Sequence, residues 1–181
     1  MKIFVTGGTG YIGSHTVVEL QQSGFEVIIV DNLSNSNIGV LDGIEKITGI
    51  RPEFEQFDLT DAVAVRDFFG RHRDIEAVIH FAALKAVGES VHKPLEYYQN
   101  NLNSLMNVLS SMREFGVRNL VFSSSCTVYG QADVLPVTEK TPRKEAESPY
   151  GNTKAMCEDI MRDLAKADQN MNLLALRYFN P

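Results

Sequence analysis

Three glycines spaced three apart, Gly7, Gly10 and Gly13, constrain this chain more than any other feature. They follow the apolar run KIFVT and precede a stretch with helical periodicity, so the order is strand, glycine loop, helix. Glycine here permits a tight turn and lets a pyrophosphate approach the backbone. The free N–H groups and positive end of the next helix favour an anion. The last glycine lets helix and strand pack closely. A flexible loop can carry the same pattern, so the setting decides. A second apolar run, EVIIVD, ends at Asp31, about 20 residues beyond the loop, where a carboxylate can hold a ribose diol. Asn32, Leu33, Ser34, Asn35 and Ser36 follow it and offer no Arg or Lys to a 2′-phosphate. The expected cofactor is therefore NAD rather than NADP.

The alternation continues downstream. PEFEQFD, AVIHF, NLVFSSS and LLALRYF read as strands, the first of them weaker, with helical stretches at 12–23, 40–48, 62–72, 95–115 and 150–167. Strands that are apolar throughout are covered on both faces. The β–α rhythm then implies an α/β fold, a Rossmann-type doubly wound parallel sheet with right-handed crossovers. Residues 1–181 read as one NAD-binding catalytic domain, long enough for a core of its own. The stretch from Gly130 to Ser148 breaks the rhythm with Pro136, Pro142 and many charges, and reads as a long surface loop that delivers Tyr150 to the start of a helix. The closing residues, RYFNP, stand just past a strand. An N-terminal fragment of a longer enzyme, lacking a C-terminal substrate-binding region, is expected.

A net charge of −6 without a basic tract argues against nucleic acid or an anionic membrane as the main partner. Cys126 and Cys157 have no metal-ligand spacing, so no metal is expected and reduced thiols are the simpler reading. The apolar run Ile3 to Val5 is too short for a signal peptide or a membrane span, which points to the cytoplasm.

Two further strand ends face the same edge of the sheet. Asp58 can reach an adenine there, or it can cap the helix that begins near Asp61. After the fourth strand, His80 to Lys85 lie where open α/β sheets bind ligands. Ala82 and Ala83 are small enough for a cofactor to pack against the backbone, or serve plain packing.

The fifth strand ends in Ser123, Ser124 and Ser125, and the helix after the long loop opens with Tyr150 and carries Lys154 one turn on. A free tyrosine, with a pKa of about 10, is a poor base at neutral pH. A lysine one turn away and a positive nicotinamide are expected to favour its phenolate. Such a tyrosine can take a proton from a sugar hydroxyl while hydride leaves for the nicotinamide. The lysine can donate to the nicotinamide ribose, and a serine hydroxyl can hold the reacting oxygen.

The strings TGGTGYIGSH, VDNLSNS, IHFAALKAVGESV, PLEYYQNN, FSSSCTVYG, SPYGNTK and LRYFNP together resemble the extended short-chain dehydrogenase/reductase family, across essentially the whole chain. The resemblance implies NAD contacts at Tyr11, Ile12, Asp31 to Ser36, Asp58, Leu59, Phe81, Ala82, Ala83, Leu84, Lys85, Asn100 and Phe179. It implies a catalytic set of Ser125, Tyr150 and Lys154, and substrate contacts at Lys85, Ser125, Thr127, Tyr150 and Asn180. The implied reaction is 4-epimerisation of UDP-glucose and UDP-galactose through a transient 4-keto sugar, in galactose metabolism. An epimerase of UDP-glucuronate or UDP-N-acetylglucosamine, or an NAD-binding fragment without turnover, is the alternative. The related 4,6-dehydratases carry an Asp-Glu pair where Cys126 and Thr127 stand, and neither residue replaces an acid.

An assembly is also expected. Leu95, Tyr98, Leu102, Leu105, Leu109 and Met112 form an apolar stripe flanked by Met106, and Met156, Ile160, Met161 and Leu164 add a wide face on the next long helix. Covering the sheet accounts for much of this surface. The surplus, and the resemblance, suggest a homodimer through a four-helix interface, with Met161 facing outward.

Overall fold

The computed structural model describes residues 1–179. The elements in chain order are β1 (Lys2–Thr6), α1 (Tyr11–Gln22), β2 (Glu26–Asp31), α2 (Val40–Thr48), β3 (Glu53–Gln56), α3 (Ala62–Arg71), β4 (Ile75–His80), α4 (Val87–His92), α5 (Pro94–Phe115), β5 (Asn119–Ser125), α6 (Pro149–Ala167) and β6 (Asn172–Tyr178). A single 3-10 turn, Cys126–Tyr129, follows β5. The strands form one parallel sheet in the order β3-β2-β1-β4-β5-β6. From β1 the chain first winds one way to β3, then returns to β4 on the other side. The reversal opens a crevice between β1 and β4, where such sheets bind ligands.

The central strands β1 and β2 bury both faces, as their unbroken apolar runs require. Phe4, Ile28, Val30, Val78, Leu120 and Phe122 point to the side of α3, α5 and α6, with Phe68, Leu105, Met112 and Cys157 against them. Ile3, Val5, Val27 and Ile29 point the other way and meet Val17, Leu41 and Ile44 from α1 and α2. In β6 that second face carries the exposed Leu174 and Leu176.

Local chemistry sets the helix ends. Pro94 and Pro149 open α5 and α6, because proline's fixed φ suits a first turn and its missing N–H costs nothing there. Both helices thus begin a residue earlier than periodicity suggests. The Ser148 hydroxyl accepts from Gly151 N at the head of α6, and Asp61 accepts from Val63 N and Ala64 N at the head of α3. Helix α4 and the 3-10 turn are too short for a periodic signal, and the sequence pattern does not reveal them.

One sequence expectation is overturned. Met161 is buried at 4% exposure in the core beneath α6. Hydrophobic spacing marks an apolar line on a helix without saying which side meets the sheet. Here the inward line runs through Cys157 and Met161, and the outward apolar residue of α6 is Met156.

Candidate active site

The glycine loop is shaped by β4 as much as by β1. Gly7 has φ +67°, and a Cβ there would sit 2.8 Å from Ala82 N. A Cβ on Gly13 would collide with the Gly7 carbonyl. These two glycines therefore serve internal packing. Gly10 differs: it is the N-cap of α1, makes no side-chain cap, and a Cβ there would meet only the Gly7 carbonyl, at 3.2 Å. Its free side faces the mouth of the helix, whose first turn carries no acidic residue. A phosphate fits this cradle because unpaired N–H groups and the positive helix end converge on it.

Asp31 ends β2 beside the cradle. Its Oδ1 accepts from Leu33 N at 2.9 Å and from Ser36 Oγ at 3.0 Å, whereas Oδ2 has only Thr9 N at 3.4 Å. One oxygen thus fixes the loop, and the other is weakly engaged and available to a diol. Thr9 Oγ1 and Ser36 Oγ meet at 2.8 Å and tie this loop to the glycine loop. The Leu33 backbone is left-handed, at φ 59°. The Asn32 side chain donates to Asp58 Oδ2 at 3.0 Å, and its Oδ1 accepts from Ser34 N at 3.0 Å. Asn35 is exposed nearby.

Asp58 is not the cap of α3, which is Asp61. Burial works against its charge, but hydrogen bonds from Thr60 and Asn32 outweigh that and hold its carboxyl below the usual range. The Leu59 side chain lies in the core, and its carbonyl accepts from Asn107 at 2.9 Å. Tyr11 is exposed at the head of α1, with Ile12 half-buried behind it.

The strip from Phe81 to Lys85 lines the other wall. Phe81 N donates to the Thr6 carbonyl and Ala82 N to the Thr6 hydroxyl. Thr6 Oγ1 also meets His80 Nδ1 at 2.9 Å. Leu84 is held at both backbone atoms by the Asn101 side chain, which donates in addition to Thr153 Oγ1 in α6. Asn100 donates to Asn101 Oδ1 at 3.0 Å. Ala83 is half-buried and Lys85 exposed. Asn101, which sequence reasoning missed, thus ties the strip after β4 to α5 and α6. Its signal was a polar residue on the buried face of α5.

The reactive groups gather at the carboxyl end of β5. Ser125 Oγ accepts from Thr127 N at 3.3 Å. Tyr150 is half-buried, and Lys154 is buried at 3% exposure. Lys154 Nζ donates to the Ser123 carbonyl at 2.8 Å, lies 4.7 Å over the Phe122 ring and 5.9 Å from the Tyr150 ring centre. Burial brings its pKa down to about 8. Thr127 Oγ1 is buried without a hydrogen-bond partner, the sort of group a substrate hydroxyl would satisfy. Phe179 is exposed at the end of β6, its ring 6.2 Å from that of Tyr129. Asn180 lies outside the described residues.

The lysine one turn away does not by itself bring the Tyr150 pKa down. Burial pushes it up; the neighbouring Ser125 hydroxyl acts in the opposite sense and the Cys126 thiol adds to the rise. Lys154 turns its ammonium to the Ser123 carbonyl, so removal of the phenol from water outweighs its influence.

Among the described residues no group of His, Cys, Asp and Glu could hold a metal, and no helix is long and apolar enough to cross a membrane.

The family described as NAD dependent epimerase/dehydratase matches residues 3–181. Curated UDP-glucose 4-epimerases from Erwinia amylovora and Bacillus subtilis are each 52% identical over 181 residues, all of this chain and 53% of theirs. Among solved structures, the UDP-glucose 4-epimerase of Bifidobacterium longum in complex with NAD+ and UDP superposes with a TM-score of 0.98 at 45% identity, covering 100% of this chain and 54% of that one. The enzyme from Stenotrophomonas maltophila, with bound NAD and formylated UDP-arabinopyranose, gives 0.96 at 48% identity, with 100% and 53% covered. The chain spans about half the length of the curated relatives it matches.

Proposed function

The chain belongs to the NAD dependent epimerase/dehydratase family, and on that premise we propose that it carries the cofactor and the reacting groups of an NAD-dependent UDP-glucose 4-epimerase. One observation carries this reading: Ser125, Tyr150, Lys154 and the unpartnered Thr127 hydroxyl converge at the end of β5, across the crevice from the glycine cradle. Two relatives with solved structures hold NAD beside a UDP ligand.

The residues divide the work by chemistry. The head of α1 and Gly10 take the pyrophosphate, and Asp31 Oδ2 takes the adenosine ribose. Asp58 reaches the adenine, and Tyr11, Ile12, the loop 32–36 and Phe81 to Lys85 enclose the rest. Asn100 and Phe179 close the nicotinamide end. Bound NAD+ would accept the hydride from the sugar C4 and give it back to the opposite face of the same carbon, and would place a positive charge beside Tyr150. Tyr150 takes the proton from the 4-hydroxyl, and Lys154 offsets the negative charge that forms on the phenol. The Ser125 and Thr127 hydroxyls hold the resulting 4-ketone, with Lys85 and Asn180 as further substrate contacts. After the sugar turns its other face, Tyr150 returns a proton to the same oxygen.

The site resides in the cytoplasm on this reading. A second copy of the chain covers the outward apolar residues of α5 and α6, Leu95, Met106 and Met156.

The test is turnover of UDP-galactose to UDP-glucose by the full-length enzyme. Tyr150→Phe should lower kcat by about 10²–10⁴-fold while NAD still binds. Near-normal turnover in that variant, or tighter binding of NADP than of NAD, overturns the reading.

A further inference from the structure

Beneath the reactive groups lies a buried carboxylate that the mechanism above does not use. Glu158 is one turn beyond Lys154 and two beyond Tyr150, so the three share one line along α6. That line meets three consecutive serines at the end of β5. Tyr150 stands beside Ser125, Lys154 Nζ donates to the Ser123 carbonyl at 2.8 Å, and Ser124 Oγ donates to Glu158 Oε1 at 2.6 Å.

Of these three contacts only the last is clamped from several directions. From β6, Arg177 donates to both Glu158 oxygens, through Nε at 2.9 Å and Nη2 at 2.7 Å. Its guanidinium lies 4.7 Å over the ring of Tyr129, in the 3-10 turn that follows Ser125. From the long loop, Arg143 Nη1 donates to Glu158 Oε2 at 3.4 Å and to the Ala155 carbonyl at 3.1 Å, and its other end pairs with Asp159. Arg162 pairs with Asp159 as well. Burial works against the Glu158 charge, yet Arg177, Ser124 and Arg143 outweigh it and hold the carboxyl below its usual range. One side chain thus joins β5, β6, α6 and the loop that leads into Tyr150.

Lys154 cannot do this alone. A single ammonium on a four-carbon stem accommodates sliding and rotation of its helix, whereas a forked carboxylate–guanidinium pair fixes both. Building on the proposed function, we infer that Glu158, clamped by Arg177, is a positioning residue that sets the rotation and axial register of α6 against β5, so that Tyr150 and Lys154 meet Ser125 and the sugar C4 hydroxyl. A misplacement of about 1 Å at a reacting group can cost a hundredfold in rate, so such a clamp matters to turnover.

The charges that bear on the readout are few. Tyr150 faces Ser125 and Cys126 from β5 and its turn, Lys154 on its own helix, and Tyr97 from α5. Removing the Glu158 anion by charge alone makes a phenolate easier to form and lowers the Tyr150 pKa. Loss of position does the reverse, because Ser125 and Lys154 drift from the phenol. The sign of the shift separates the two.

The experiment compares Ser124→Ala, Glu158→Gln and Arg177→Lys in the full-length enzyme. It measures kcat and KM for UDP-galactose, NAD affinity by titration, and ultraviolet difference titration of Tyr150 in the NAD complex against a Tyr150→Phe blank. The expected result is a fall in kcat of about tenfold or more in all three, with KM and NAD affinity within about twofold, and a Tyr150 pKa raised by roughly half a unit or more. Arg177→Lys keeps the charge but loses the fork, so it should behave like the others. Turnover within about twofold of the parent in Ser124→Ala and Arg177→Lys overturns the proposal. So does a Tyr150 pKa that falls in Glu158→Gln and stays put in Ser124→Ala. If Glu158→Gln does not fold, the other two variants decide. A parent enzyme inactive on UDP-hexoses would sink the functional reading, while the tyrosine titration, which needs no sugar, would still judge Glu158.

Discussion

Lys154 Nζ rests on the Ser123 carbonyl at 2.8 Å, and no carboxylate pairs with it among the described residues. A buried cation with this little compensation costs the fold stability, and on the proposed function the charge is kept for the ligand.

Lys154→Met should therefore leave the stability of the cofactor-free protein at pH 7 unchanged or higher, by on the order of 1 kcal/mol, while abolishing most turnover. The sign follows from linkage. The folded-state pKa, about 8, lies below the unfolded value, so the unfolded chain holds the proton more firmly. The cost is complete below pH 8 and lifts as pH rises through 8 towards 10.5. Calorimetry at pH 7 and 9.5 should show the gap between variant and parent narrowing. A parent that is more stable than the variant at pH 7 would count against this.

His80 titrates in the acid range. It is buried between β1 and β5, stacked on Phe122, and burial, with the Lys154 charge as a lesser cause, brings its pKa down to about 3. Between pH 6.5 and 3 the unfolded chain binds a proton that the native state refuses, so stability falls as pH falls, by up to about 1.4 kcal/mol per unit. Urea midpoints at pH 7 and 4.5 measure this slope, and His80→Gln should flatten it.

The glycines make a sharper contrast. Gly13→Ala drives a methyl into the Gly7 carbonyl and should destabilise the fold by about 2–4 kcal/mol. Gly10→Ala should cost under about 1 kcal/mol in stability, yet weaken NAD by about tenfold or more, because the added methyl occupies the approach to the helix mouth. Equal losses of stability in the two variants would show that Gly10 serves packing too.

For the assembly, sedimentation at micromolar concentration should find the full-length parent dimeric and Met156→Lys monomeric, with the fold retained. Met161→Lys should unfold instead, since that side chain is in the core. A monomeric parent would mean that Leu95, Met106 and Met156 are merely exposed.

The sequence revealed what is local. The glycine spacing, Asp31 at a strand end, and Tyr150 four residues before Lys154 are each readable within one element or one turn, and the structure sets them around one crevice. Contacts between distant residues were not readable. Glu158 finds Ser124 and Arg177 on two neighbouring strands, and Asn101 reaches Leu84 and Thr153 across a loop and a helix. Only packing of the elements against each other creates those pairs. The same limit misplaced Met161, because α6 carries apolar residues on more than one side and the sheet alone chooses between them. The burial that raises the Tyr150 pKa was hidden for a related reason: spacing counts charges, but burial depends on what covers the ring.

The meeting of Thr6 with Ala82 has a bearing on the order of folding. These residues lie 76 positions apart, and α1, β2, α2, β3 and α3 all lie between them in the chain. Gly7 acquires its shape only against the end of β4. The first βα unit alone carries every residue of the phosphate motif and still lacks the wall it leans on. Closing so long a loop is slow even though its entropy grows only with the logarithm of length. Nucleotide affinity should therefore emerge after the sheet has closed at β4, and a refolding chain should gain helix first and cofactor binding last.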